Sequence, residues 1–191
     1  DPICVSGNLG AAYCGLQLLE REKSVYYMQL QEARKKNKDA VVDFQPDFSG
    51  REYLLERQLQ PEARGDILKT LRQAGVRPTS MIDISDGLSS EIMHICKESD
   101  TGCRLFEKEI PIDYQTAVMA EEMNMNLSTC ALNGGEDYEL LFTCPIGDYE
   151  KVKELDDIRI IGHITKKELG TLLVTRDGQE FPLKAQGWQH A

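Results

Sequence analysis

Apolar residues recur at helical spacing through the first part of the chain and at strand spacing towards its end. A short apolar run, Ile3-Cys4-Val5, opens the sequence as a strand, and Gly7-Asn8-Leu9-Gly10 turns it into a helix carrying Leu16, Leu18 and Leu19. A charged amphipathic stretch over residues 20–38 continues that helix, and residues 39–50 are less regular. Helical patterns return at residues 51–59 and, beyond Pro61, at 62–74, where Ile67, Leu68 and Leu71 share a face and Gly75 stands where a helix would end. The run 80–84 reads as a buried strand feeding a helix over 88–98. A strand at 103–106, a helix at 114–123, a strand at 138–144 and a helix at 149–155 follow. Strands at 159–164 and 171–176 and a hairpin turn at Asp177-Gly178 lead to a last strand at 180–183. Helices and strands interleave early, whereas the end is a run of adjacent strands. That order predicts an α+β fold, a mixed sheet flanked by helices rather than a doubly wound parallel sheet.

Composition narrows the partners. The 191 residues suit one large domain, and an apolar run so close to Asp1 reads as the inside of a longer protein. A net charge of -10 argues against nucleic acid or an anionic membrane, both of which need a basic surface. Phosphates remain possible ligands where metal ions screen the repulsion. No apolar stretch approaches the ~20 residues that span a bilayer and no signal peptide opens the chain, so the expectation is a soluble, cytoplasmic protein. The six cysteines, at 4, 14, 96, 103, 130 and 144, form no CxxC pair and are expected to be reduced core thiols. The basic run 34–38 reads as a solvated helix end.

Four segments could carry chemistry. In Asp83-Ile84-Ser85-Asp86-Gly87-Leu88 a buried strand stops, a glycine turns the chain and a helix begins, so two carboxylates and a hydroxyl project from one corner. Such oxygens suit Mg²⁺, which takes one or two carboxylates plus waters and substrate phosphates; equally, Ser85 or Asp86 would cap the helix. In Asn133-Gly134-Gly135-Glu136-Asp137-Tyr138-Glu139, a glycine turn enters an apolar strand with Glu136 at its mouth, either facing a cleft or as a solvated acid of a turn. Trp188 and His190 lie in the C-terminal tail, where a tryptophan covers a core edge or stacks on a ring, and His190 has no evident partner. The loop Ser6-Gly7-Asn8-Leu9-Gly10 has the outline of a phosphate loop but lacks its lysine.

In this order, these segments resemble the thiamine-monophosphate kinase family of the aminoimidazole-ribonucleotide-synthetase-like superfamily. The matching pieces are the GNLGAAYCGL opening, QPEAR ending in Arg64, DISDGL at 83–88, ALNGGEDYELLFT at 131–143, IGHI at 161–164 and the terminal GWQH. Ala11-Ala12 stand where many members have Asp-Ser. The resemblance implies the C-terminal domain of an enzyme that phosphorylates thiamine monophosphate to thiamine diphosphate with ATP and Mg²⁺. Asp83 and Asp86 would be metal ligands, Ser85 would contact ATP, and Glu136 and Trp188 would contact the substrate. It further implies an ATP-binding N-terminal domain outside these residues, through which the full-length protein would form a homodimer. The isolated chain would be inactive, with no acid, base or nucleophile required of it. Two alternatives stand beside it: another kinase or synthetase of the superfamily, such as a selenophosphate synthetase or a hydrogenase-maturation protein, and a non-catalytic binding module.

Overall fold

The structure, a computed structural model, describes residues 1–185. Its elements in chain order are β1 (Pro2–Ser6), α1 (Ala11–Lys36), α2 (Glu52–Leu59), α3 (Gly65–Gln73), β2 (Ser80–Asp83), α4 (Leu88–Glu98), β3 (Thr101–Phe106), α5 (Tyr114–Glu122), α6 (Leu127–Asn133), β4 (Leu140–Thr143), α7 (Tyr149–Lys153), β5 (Ile158–Lys166), β6 (Thr171–Val174) and β7 (Glu180–Pro182). Among the described residues the strands form one sheet in the order β2-β4-β1-β5-β3-β6-β7. β3 and β6 are parallel and every other neighbouring pair is antiparallel, the mixed, largely antiparallel sheet of the α+β class. Among the described residues no helix is long and apolar enough to cross a membrane.

Both faces of the central strands are covered, and this explains why β1 is buried at all of its positions instead of alternating. Ile3 and Val5 face α4 and α6 in a cluster with Leu88, Ile92, Leu105, Leu141 and Ile161. Cys4 and Phe142 face the opposite side, with Ile67 and Leu71 of α3 and Val152 of α7. A third cluster joins α1, α2, α5 and α6 through Cys14, Leu18, Leu54, Met119 and Cys130. All six cysteines are buried as free thiols. In α1 the buried residues end at Leu18, and the remaining charged turns extend away from the core, finishing in Arg34, Lys35 and Lys36 where the helix dipole favours positive charge.

The structure departs from the sequence expectations in three places. The strand expected at 138–144 starts only at Leu140, because Tyr138 takes φ 51°, a left-handed conformation that a strand excludes. Helix α6 was not anticipated; its N-cap is Asn126, whose side chain accepts from the Thr129 amide at 2.9 Å. The short loop before α3 also runs longer than expected, with Arg64 turned inward before the helix begins at Gly65.

Candidate functional site

The corner after β2 and the turn before β4 are one structural unit. The Ile84 amide donates to the Glu139 carbonyl, the Tyr138 amide to the Ile84 carbonyl and the Glu136 amide to the Ser85 carbonyl, each at 2.8 Å. This pairing continues the β2–β4 ladder beyond the strands' ends into the loops. It requires very close approach: a Cβ on Gly135, at φ +70°, would lie 2.7 Å from the Ser85 carbonyl oxygen. Gly87, at φ 106° and ψ 151°, turns the chain into α4 in a region that side chains disfavour.

Asp83, Asp86 and Glu136 are all exposed on this unit. The Tyr138 hydroxyl donates to Glu136 Oε2 at 3.1 Å. Its phenol is pushed up, first by that hydrogen bond and the Glu136 charge and then by burial, with the charges of Asp83 and Asp86 adding to the shift, so one side chain senses all three carboxylates. Among the described residues the carboxylates of Asp83 and Asp86 take no hydrogen bond and no ion pair. Hard, unpaired oxygens from one corner fit a divalent cation such as Mg²⁺. No group of three His, Cys, Asp or Glu side chains converges among the described residues, so these two carboxylates would form only part of a metal shell. Ser85 Oγ donates to Glu91 Oε1 at 3.3 Å. Trp188 and His190 lie outside the described residues.

Beneath the exposed acids lies a buried charged network that the sequence reading missed. Asp137 accepts from the Gly10 amide at 2.7 Å and the Ala12 amide at 3.4 Å, capping the N-terminus of α1. The Gly10 and Ala12 amides are thus occupied by the protein's own carboxylate, which weighs against the phosphate-loop reading of residues 6–10. Burial pushes the Asp137 carboxyl up to about 6 against the opposing pull of those amides and of Arg57. Glu139 is paired twice, with Arg57 Nη1 at 2.9 Å and with Arg64, and it also accepts from the Ser6 hydroxyl. Arg57 Nη2 donates to the carbonyls of Asn8 at 3.2 Å and Asp137 at 3.0 Å, and Arg64 pairs with Asp66 and Asp157 as well. The two arginines tie α2 and the loop before α3 to the turn that carries Glu136.

No protein-family model matches the chain. Curated relatives do match it. The thiamine-monophosphate kinase of Aquifex aeolicus (strain VF5) is 30% identical over 190 residues, covering 100% of this chain and 51% of the relative. Those of Pyrococcus abyssi (strain GE5 / Orsay) and Escherichia coli (strain K12) are 34% identical over 197 residues and 31% over 202, each covering 100% of this chain and 50% and 52% of the relative. The chain therefore spans about half the length of the curated relatives it matches. Among solved structures, AaThiL complexed with AMPPCP and TMP superposes with a TM-score of 0.72 at 29% identity, over 100% of this chain and 51% of that one. E. coli HypE, a hydrogenase maturation protein, shares the fold alone, at a TM-score of 0.63 and 16% identity over 98% of this chain and 50% of its own. Along its whole length, and over about half of theirs, the chain is similar in sequence and in fold to thiamine-monophosphate kinases.

Proposed function

We propose that this chain supplies the C-terminal half of the active site of a kinase that transfers a phosphoryl group from ATP to thiamine monophosphate. The observation that carries the reading is the backbone pairing of residues 84–85 with 136–139, which brings the two segments that carry the exposed residues Asp83, Asp86 and Glu136 side by side. The ligands in the AaThiL complex, an ATP analogue and TMP, support the same reading. Asp83 and Asp86 would hold Mg²⁺, the Ser85 hydroxyl would meet ATP, and Glu136 and Trp188 would meet the substrate. When bound, the cation neutralises crowded phosphate oxygens during transfer. The protein's own part is positioning: the corner holds two carboxylates at fixed spacing, and Glu136 offers its negative charge to the cationic thiamine rings. Such a transfer needs no covalent nucleophile from this chain. The remaining half of the relatives' length would supply the other metal and ATP contacts and the dimer contact of a cytoplasmic enzyme.

The test is Asp86→Asn in the full-length enzyme. The Asp86 side chain is exposed and caps nothing among the described residues, so melting temperature should hold while turnover falls by a factor of about 100 or more, the scale of a lost charge contact in the transition state. Turnover equal to that of the unmodified enzyme would show that the Asp86 carboxylate takes no part in the reaction. Replacing thiamine monophosphate by other acceptors in the same assay tests the substrate assignment.

A further inference from the structure

We propose that Glu91 is a positioning residue that aims the Ser85–Asp86 corner. This rests on reading that corner as the metal and nucleotide site. Of the corner's backbone groups, the amide and carbonyl of Ile84 and the carbonyl of Ser85 are bonded to the loop before β4. The Asp86 amide has no backbone partner there. It lies just before a helix, where N–H groups lack intrahelical acceptors, and the N-cap residue is Gly87, which has no side chain to offer. Glu91, from the first turn of α4, reaches back instead: its Oε1 accepts from the Asp86 amide at 3.1 Å and from the Ser85 hydroxyl at 3.3 Å.

One carboxylate oxygen therefore fixes both the peptide orientation of one proposed metal ligand and the rotamer of the proposed ATP contact. Helix capping alone does not call for this arrangement, since a neutral Ser or Asn at the N-cap would serve. Glu91 is 2% exposed, it forms no ion pair among the described residues, and its Oε2 is buried without a hydrogen-bond partner among them. A buried acid with one oxygen unsatisfied is costly to keep. That cost is explained if the corner must be held in one geometry, with Asp86 facing outward and Ser85 turned towards α4.

The experiment uses the full-length enzyme with Glu91→Gln, which keeps an acceptor oxygen, and Glu91→Leu, which removes it at similar volume. Glu91→Met is the second apolar variant if the leucine protein does not fold. Hydrogen exchange is followed over a peptide spanning residues 84–88, and Mn²⁺ affinity is read by water-proton relaxation in the presence of a non-hydrolysable ATP analogue. In the apolar variant the Asp86 amide should exchange about tenfold faster and Mn²⁺ bind about tenfold more weakly, the scale of one lost hydrogen bond, with the glutamine variant close to the unmodified protein. Unaltered exchange overturns the proposal, as does Mn²⁺ affinity that persists once the amide is freed, or equal loss in the glutamine and apolar variants. Absence of kinase turnover in the unmodified enzyme would instead sink the proposed reaction, and the exchange and Mn²⁺ measurements would still decide the role of Glu91.

Discussion

Asp137 caps a helix with a carboxylate whose side chain is wholly shielded from solvent. Its carboxyl is raised from 3.8 to about 6, so between these values the folded protein keeps a proton that the unfolded chain has already released. Ionising Asp137 is then a cost borne by the fold alone, and the sign follows: its contribution to stability is greatest below pH ~4 and falls as pH rises through about 6, by up to roughly 3 kcal/mol. The measurement is the unfolding free energy of the unmodified protein and of Asp137→Asn from pH 3.5 to 7.5 (roughly the span of that titration). The lost carboxylate–amide bonds offset the variant by a pH-independent amount, so the difference between the curves isolates the titration. It should narrow as pH rises through the window. A constant difference would mean that the two amides and Arg57 fully offset the burial of the charge.

At the scale of elements, the β2–α4 corner is wedged against the end of α6. A Cβ on Gly87 would meet the Leu132 carbonyl oxygen at 2.8 Å and the Asn133 Cα at 2.9 Å, both of them backbone or backbone-attached atoms that cannot swing aside. Gly87→Ala combines that clash with an unfavourable φ, and should cost about 2–3 kcal/mol in chemical denaturation. Gly147 is the control: a Cβ there would meet nothing within 4 Å and its φ is not positive, so Gly147→Ala should be neutral or slightly stabilising. Matching denaturation midpoints for the two variants would show that α6 and the corner are not in the contact described. The unexpected helix α6 is therefore part of the site's support, although it carries none of the proposed ligand contacts.

For the whole molecule, three packed clusters distributed over both faces of the sheet and the α1–α2–α5–α6 group take in residues of every described helix and strand named above except the exposed edge strand β7. A domain of this size and packing is expected to fold by itself, in one cooperative transition. The thiols give the readout, because all six are buried. A thiol reagent should therefore titrate none of the six cysteines in the folded 191-residue chain and all of them in denaturant. The same folded chain should form no thiamine diphosphate from ATP, Mg²⁺ and thiamine monophosphate until the separately expressed N-terminal half is added. Product formed by the chain alone would refute the division of the site between two halves.

The sequence by itself determined most of the local architecture. Periodicity and glycine positions located the strand-to-helix turn at Asp83–Leu88 and nearly every helix and strand, because these depend on neighbours a few residues apart. The run of strands at the end also pointed to a mixed sheet rather than a doubly wound parallel one. Only the tertiary structure decided that residues 84–85 would pair with 136–139, that Asp137 would occupy the N-terminus of α1, and that Glu139 would be held by Arg57, Arg64 and Ser6. The Ser6–Glu139 contact spans 133 residues of sequence, and no local pattern encodes such a separation. In Glu136-Asp137-Tyr138-Glu139 the acids are chemically alike, yet Glu136 is exposed while Asp137 and Glu139 are buried. Which of them meets solvent depends on the desolvation cost at each position and on the partners that distant segments bring to offset it.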